Sequence, residues 1–244
     1  MKNYLKTEKN QYEQNVGIKL DLTAIPEIEH FSIYGKHVVL HALMHNGDVQ
    51  AKWVDQIWDT VKSEPNESCW TYLPYQSFDS KNVLEQKLKN NFEFLGSLHY
   101  LIEVDQKIVG WIALLNVRPE HGAVEIGNVY FSHKLKQSTA STEIIYLLLQ
   151  LCFDQNYRRI EWKCDELNEP SKRAALRYGF TYEGTFRQDR IAKNRNRNTA
   201  WFSILDEEWL ALEQAYKAWL SDDNFDVDGQ QKIRLNDFIQ LYSA

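Results

Sequence analysis

Apolar and polar positions follow three rhythms along this chain. Strict alternation marks Leu98 to Val104, where Leu98, Tyr100, Ile102 and Val104 share one side of a strand. Ile108 to Asn116 is more continuously apolar, as a central strand is, and Asp105-Gln106 between the two reads as a tight turn. A further turn over Arg118 to Gly122 leads into a third strand, Val124 to Phe131. Spacings of three and four predict a helix capped by Asp48 and running to about Lys62, with Val49, Trp53, Ile57, Trp58 and Val61 on one stripe. A second such helix runs from about Ser80 to Leu95, with Leu84, Leu88, Phe92 and Leu95 aligned. The helix Thr142 to Phe153 is apolar nearly all round, which predicts burial across a sheet. Arg158 to Cys164 reads as a strand and Lys172 to Tyr178 as a short helix closed by Gly179. A hairpin with Asn194 and Asn196 near its tip and a helix from Asp206 to about Leu220 follow, and Lys36 to Ala42 fits a first strand.

An antiparallel meander, then a helix, then a parallel return strand describes a mixed α/β sheet. No linker interrupts it. The expected division is an N-terminal arm over residues 1–34 that wraps the fold, one domain over 35–220, and a C-terminal extension over 221–244 packed on that domain. Ser63 to Gln76, with Pro65, Pro74, Trp70, Tyr72 and Tyr75, is an aromatic loop that either edges the core or walls a substrate cleft.

The net charge of −6 lacks the basic footprint of a nucleic-acid protein. Three cysteines (Cys69, Cys152, Cys164) without C-x-x-C spacing read as buried thiols in a reducing compartment. The polar stretch Met1 to Asn10 lacks a signal-peptide core, and no apolar run approaches the ~20 residues of a membrane span, so the cytoplasm is expected. His37 and His41 at strand spacing have no third ligand nearby and read as hydrogen-bonded or solvent-facing. Asn224, Asp226, Asp228 and Gly229 imitate a calcium loop, but its twelfth position is Leu235 rather than a bidentate glutamate. No metal site is expected.

The candidate chemistry lies between Val124 and Gly184. A strand feeding a helix through a turn of small hydroxyl residues presents free backbone N–H groups, and the helix dipole favours an anion there. Ser138 or Thr139 fits as the cap. Further on, Asn168 suits a helix N-cap, Pro170 the first turn and Gly179 a left-handed C-terminal cap.

Glu125-Ile126-Gly127, Ser141-Thr142-Glu143, Asn168 with Ser171, and Tyr178-Gly179-Phe180 with Glu183-Gly184 follow one another in a specific order. Together they resemble the GNAT superfamily of acetyl-CoA-dependent N-acetyltransferases, and are most similar to its branch of ribosomal-protein alanine N-acetyltransferases (RimJ/RimL type). Arg195-Asn196-Arg197 and Thr199 to Leu205 resemble the closing strands of one subgroup, and the resemblance spans roughly Gly35 to Trp219. It implies a mixed, mostly antiparallel sheet flanked by helices, and acetyl-CoA as co-substrate. By position, Val129, Tyr130 and Phe131 would meet the pantetheine arm. Lys136, Gln137, Ser138, Thr139, Ala140, Ser141 and Thr142 would hold the pyrophosphate, and Asn168 and Ser171 would sit by the pantetheine and thiol.

The phosphate loop of the family carries Gln/Arg-x-x-Gly-x-Gly/Ala; the matching positions here are Lys136, Thr139 and Ser141, so both glycines are replaced. The tyrosine that protonates the departing thiolate in many relatives is Ala175 here, and Ser171 is the substitute that the branch suggests. A glutamate proposed as base in that branch would fall near Arg190. Glu125 is the remaining candidate base, with pairing to a neighbouring Arg or Lys as its alternative. An α-amine titrates near ~8 and a lysine near ~10.4, so a site without a strong base suits an α-amine. The expected acceptor is a protein N-terminus, that of a ribosomal protein included; a small amine such as an antibiotic or polyamine, or a non-catalytic acyl-CoA-binding role, are the alternatives. Monomer and homodimer both remain open. Arg187, Arg190, Lys193, Arg195 and Arg197 on the hairpin form either a solvated surface or a contact for an acidic partner, ribosomal RNA included.

Overall fold

The computed structural model describes residues 6–20 and 25–243; parts of the expected N-terminal arm (1–5 and 21–24) and residue 244 lie outside the described residues. The strands among the described residues are β1 (Thr7–Lys9), β2 (Asn15–Gly17), β3 (Ile33–Tyr34), β4 (Val39–Leu43), β5 (Leu98–Val104), β6 (Lys107–Arg118), β7 (Ala123–Phe131), β8 (Arg159–Asp165), β9 (Thr181–Ala192) and β10 (Arg195–Leu205). The helices are α1 (Ala51–Lys62), α2 (Lys81–Lys89), α3 (Thr139–Asp154), α4 (Glu169–Arg177), α5 (Asp206–Leu220) and α6 (Leu235–Tyr242). β1 and β2 form an exposed hairpin of their own, while β3 to β10 make one sheet in the order β3-β4-β5-β6-β7-β8-β10-β9. Every neighbouring pair is antiparallel except β7 and β8. The fold is thus the mixed α/β sheet that the pattern predicts, mostly antiparallel and flanked by helices as the resemblance implies. Asp105-Gln106 and Lys193-Asn194 all have positive φ, the backbone of two-residue turns that match strand twist.

Two apolar cores sandwich the sheet. One joins α3, α5 and α6 to Val124, Ile126, Ile160, Trp162, Ala200, Phe202 and Ile204. The other packs α1 and α2 with Trp70 and Phe78 on Leu101, Ile108, Trp111 and Tyr130. Helix α3 is apolar all round because it lies between the sheet and α5, where Phe153 stacks on Trp209 at 4.9 Å. Among the described residues no helix is long and apolar enough to cross a membrane.

Several boundaries differ from the pattern, each for a local reason. Helix α1 starts after Gln50, and Asp48 does not cap it. Helix α2 ends at Lys89 because Asn91, Phe92 and Glu93 turn left-handed (φ 47°, 53° and 66°). Phe92 still reaches the core, but Leu95 is 91% exposed instead of lying on the apolar stripe. Strand β4 begins at Val39 rather than Lys36, since the Lys36 and His37 N–H groups donate to the buried Glu143 carboxylate. The sheet takes in Ile33 and Tyr34 from the expected arm. Residues past α5 fold back so that α6 lies on it, with Leu235, Phe238 and Ile239 in the first core.

Candidate active site

The site begins where two parallel strands part. β7 and β8 are paired only from Ala123↔Arg159 to Ile126↔Trp162. Beyond that, β7 stays with β6 as far as Phe131, and β8 stays with β10 as far as Asp165. The backbone edges of 127–131 and 163–165 therefore face each other across an open cleft. Unpaired strand edges can bind an extended ligand through main-chain hydrogen bonds. Val129, Tyr130 and Phe131 lie on one of these edges.

A β-bulge shapes this edge. The register runs from Trp111↔Tyr130 to Ala113↔Gly127, which leaves Asn128 as the extra residue, with φ of 46°. Opposite it, a Cβ on Gly110 would come within 2.3 Å of the Tyr130 carbonyl oxygen, so only glycine allows β7 this close. A buried polar chain holds the bulge. Asn128 Oδ1 accepts from the Tyr75 hydroxyl (2.6 Å), whose oxygen accepts from Trp111 Nε1 (3.0 Å). The Asn128 amide donates to His99 Nε2 (2.9 Å), His99 Nδ1 donates to Ser97 Oγ (3.0 Å), and Ser97 donates to the Phe94 carbonyl (2.6 Å). This tautomer, assigned from the partners, satisfies every member. Burial, with His30 adding to it, lowers the His99 pKa to about 3, so the imidazole is neutral and can accept from Asn128.

Helix α3 starts at Thr139, three residues before the predicted Thr142, because Ser138 caps it by accepting from the Ser141 N–H (3.1 Å). The N–H groups of Thr139 and Ala140 at the first two helical positions have no acceptor within the helix. Lys136 and Gln137 are exposed, and Ser138 and Thr139 are half-buried. Ala140, Ser141 and Thr142 are buried: Ser141 Oγ donates to the Ser138 carbonyl (2.6 Å), and Thr142 Oγ1 accepts from Arg177 (3.0 Å). Of the two positions where the resemblance has glycine, Ser141 thus turns its side chain inward, while Thr139 stays half-buried at the first helical position. The outer surface of this turn carries backbone, Lys136, Gln137 and part of Thr139, donors that suit an anion.

On the other wall, Asn168 caps α4 by accepting from the Ser171 N–H (3.2 Å), Pro170 stands in the first turn, and Gly179 closes the helix at φ 91°. Ser171 Oγ accepts from the Trp162 indole (3.0 Å). An oxygen that already accepts one hydrogen bond is a better proton donor. Glu125 is 7% exposed and committed: its Oε2 accepts from Asn116 (2.6 Å) and from Lys163 (2.9 Å). The alternative weighed for this residue, a paired carboxylate, describes its surroundings. Lys163 also meets Glu161 at 2.8 Å and lies 4.0 Å over the Trp201 ring.

The aromatic loop edges the core, the first of its two expected parts, and also reaches the loop after β8. Trp70 is buried and stacks on Tyr130 at 5.0 Å, while the Tyr72 hydroxyl crosses the cleft mouth to the Leu167 carbonyl (3.0 Å). Lys193 at the hairpin tip donates to the Trp70 carbonyl (2.6 Å). His41 pairs with Glu103 (2.9 Å), and Asn224 spends its side chain on the backbone of Trp219 and Ile233, so the imitation calcium loop holds itself together. Among the described residues no three His, Cys, Asp or Glu side chains could hold a metal. Trp162, Lys163 and the His99 chain escape sequence reasoning because only the sheet register brings them to the site.

Comparison with known proteins agrees with this geometry. A sequence profile of the Acetyltransferase (GNAT) family matches residues 57–180. A GCN5-related N-acetyltransferase from Brucella melitensis is 37% identical with a TM-score of 0.84, over 90% of this chain and 99% of that one. A probable acetyltransferase of the GNAT family from Chromobacterium violaceum ATCC 12472 is 30% identical with a TM-score of 0.69, over 80% and 96% of the two chains. An acetyl transferase from Salmonella typhimurium that modifies the N-terminal serine of ribosomal protein L7/L12 shares the fold at 18% identity and a TM-score of 0.58, over 70% and 96%. No match was found among curated proteins. The family profile and the Brucella and Chromobacterium relatives define the class, an N-acetyltransferase. The chain belongs to the GNAT acetyltransferase family.

Proposed function

We propose that the protein transfers the acetyl group of acetyl-CoA to an α-amine, as at the N-terminus of a peptide or protein, by direct attack within a ternary complex. The observation that carries this reading is the commitment of Glu125 to Lys163 and Asn116. The carboxylate best placed to be a base is held as an ion pair, so the site suits an amine that is already partly neutral near pH 7. An α-amine, with a pKa near ~8, meets that need far better than a lysine near ~10.4. The Salmonella neighbour, which modifies an N-terminal serine, offers a parallel within the fold. A place in the RimJ/RimL-like branch, with a ribosomal protein as acceptor, rests on such distant neighbours.

In this reading the acetyl donor lies between the parted strands. Its pantetheine pairs with the edge of Val129, Tyr130 and Phe131, and its phosphates meet the backbone of 137–140 and Lys136. Backbone N–H groups beside the bulge at Asn128 take the charge that grows on the carbonyl oxygen as the amine adds. The new C–N bond forms, the C–S bond breaks, and Ser171 gives its proton to the departing sulfur while the amine loses its own to water, from which Ser171 is reprotonated. Asn168 fixes Ser171 by capping the helix that carries it.

The test is an acceptor panel with purified protein and acetyl-CoA, read by release of CoA and by mass spectrometry of the modified site. Peptides with a free N-terminus should be acetylated there, and the same peptides with a blocked N-terminus and a free lysine should not. Acetylation confined to lysine would overturn the α-amine assignment. Absence of any acetyl-CoA binding or thermal stabilisation would overturn the transferase reading itself.

A further inference from the structure

Arg197 is a cation without a partner. The carboxylates near it are committed: Glu125 to Lys163, Glu161 to Lys163, Arg118 and Arg159, Glu183 to Arg159, Asp189 to Thr199 and Arg190, and Glu166 to Asn198. Asp165 accepts from the Leu167 N–H. Among the described residues Arg197 makes no hydrogen bond or ion pair, and its Nε is shut off from water without an acceptor. Directly across the ladder stands Arg190, in register with it. Two like charges facing each other on neighbouring strands repel, and the pair is tolerable where an anion sits between them. Burial, then Arg190, lowers the Arg197 pKa, and Asp165, Cys164 and Glu125, none of them in contact with it, offset this only in part.

The place is as informative as the charge. Ala200, Phe202 and Ile204 of β10 point into the core under α3 and α5, so Thr199 and Trp201 point to the opposite face, and Arg197 continues that alternation. Glu125, Cys164 and Asp165 at the parting of β7 and β8 act on its charge. Trp201, four residues along on the same face, also has an indole N–H buried without an acceptor. Arg197 lies past the last pair of β10 with β8, Thr199↔Asp165, and so at the mouth of the cleft. Below it the hairpin tip is tied to the aromatic loop through Lys193 and Trp70. This end of the cleft offers hydrogen-bond donors and one free positive charge.

The geometry points to an acceptor amine that carries a carboxylate, received by Arg197 and Arg190 while the amine faces the cleft. This rests on the transferase reading above and adds the chemical class of the substrate. A guanidinium takes a carboxylate through two parallel N–H···O bonds, which orients the acceptor as well as holding it. The carboxylate can belong to an acidic side chain near a peptide N-terminus or to a free amino acid.

Two measurements test it separately from the transferase reading. The first is turnover on matched acceptors: Ala-Glu-Ala-amide against Ala-Gln-Ala-amide, and free glutamate and alanine against their amides. The member with the carboxylate should be preferred by about tenfold or more in kcat/KM, and Arg197→Gln should remove the preference, with Arg190→Gln reducing it. Preference in the peptide pair alone assigns the side-chain source, and preference in the amino-acid pairs assigns the free acid. The second is calorimetric binding of the N-acetylated peptides to the CoA-loaded protein, which needs no turnover. Acetyl-Ala-Glu-Ala-amide should bind about tenfold tighter than its glutamine counterpart in the wild type and equally in Arg197→Gln. Arg195→Gln, exposed on the same hairpin, should behave as wild type. Equal turnover and equal binding of both members, or a preference that survives Arg197→Gln, would overturn the inference even if α-amines are acetylated.

Discussion

The two faces of strands β7, β8 and β10 are built by alternate residues of the same chain, yet they obey different physics. Toward α3 and α5 the strands show Val124, Ile126, Ile160, Trp162, Ala200, Phe202 and Ile204, all buried and apolar. Toward the other side they show Glu125, Glu161, Lys163, Thr199 and Ser203, almost as deeply buried. Contacts on the first face are non-directional and indifferent to pH. Those on the second hold only in one geometry and one protonation state, because an unmatched buried charge costs several kcal/mol. The apolar face anchors the sheet; the charged face is where the strands separate and chemistry becomes possible. Helices α1 and α2 pack on the second face over its β4–β7 half.

The strongest way to break this contrast is to remove Glu161. Its carboxylate lies 2.8 Å from Lys163, 2.8 Å from Arg118 and 2.9 Å from Arg159. Burial alone would raise its pKa, but these three cations outweigh burial and hold it down to about 2. Glu161→Ala leaves Arg118 without a carboxylate, with Lys163 still held by Glu125 and Arg159 by Glu183, and should cost about 3 kcal/mol in urea unfolding at pH 7. The depressed pKa means that the carboxylate's contribution is complete above about pH 5 and is lost as the pH falls toward 2. Wild type should therefore lose stability over that window, and the variant should lose less. A variant as stable as wild type at pH 7 would show that the charged face does not hold the strands.

On the apolar face, Leu148→Ala opens a cavity at a residue with no exposed surface. The expected loss is about 3 kcal/mol, within the usual range for such truncations. Unlike the loss at Glu161, it should be the same at pH 4 and pH 7. A pH-dependent difference between Leu148→Ala and wild type would mean that the two faces are not independent.

Ser171 stands where both faces meet the cleft, since Trp162, a core residue, donates to it. Ser171→Ala should lower kcat by about 10²-fold, the lower end for loss of a general acid, with KM changed by less than about threefold. Unchanged kcat would remove Ser171 as proton donor.

The apolar face was legible in the sequence and the charged face was not, for a physical reason. Apolar periodicity records which residues one element turns inward, and it found β5 to β8, the burial of α3 and the span of α5. Asn168, Pro170 and Gly179 made α4 legible because capping and turn chemistry are local. Helix ends were less so: Ser138 and Thr139 are both plausible caps, and Phe92 returns to the core by a left-handed turn that periodicity cannot tell from a longer helix. Charge partners are set by register between distant strands. Glu125 could be seen as candidate base or paired carboxylate, but Lys163 is 38 positions away. Arg197 looked like one of five hairpin cations until the register showed it alone.

The smallest expected effect tests whether a polar chain can act within an otherwise apolar region. Tyr75→Phe keeps the ring that packs on Phe92 and Phe78 but removes the hydroxyl between Asn128 and Trp111. Two buried groups are then left short of a partner, at a cost of about 1–3 kcal/mol in thermal or urea unfolding. Acetyl transfer should fall more than the change in KM accounts for, because the bulge at Asn128 that aims the β7 edge loses one of its two fixings. Tyr157→Phe, which removes a hydroxyl bonded to the Pro26 carbonyl on the other side of the sheet, should cost less than about 1 kcal/mol and leave turnover unchanged. If Tyr75→Phe and Tyr157→Phe lose stability alike and neither changes kcat, the chain through His99, Asn128 and Tyr75 serves packing alone. If only Tyr75→Phe lowers kcat, the bulge is held in place for the reaction, and the hydroxyl matters through the backbone it positions.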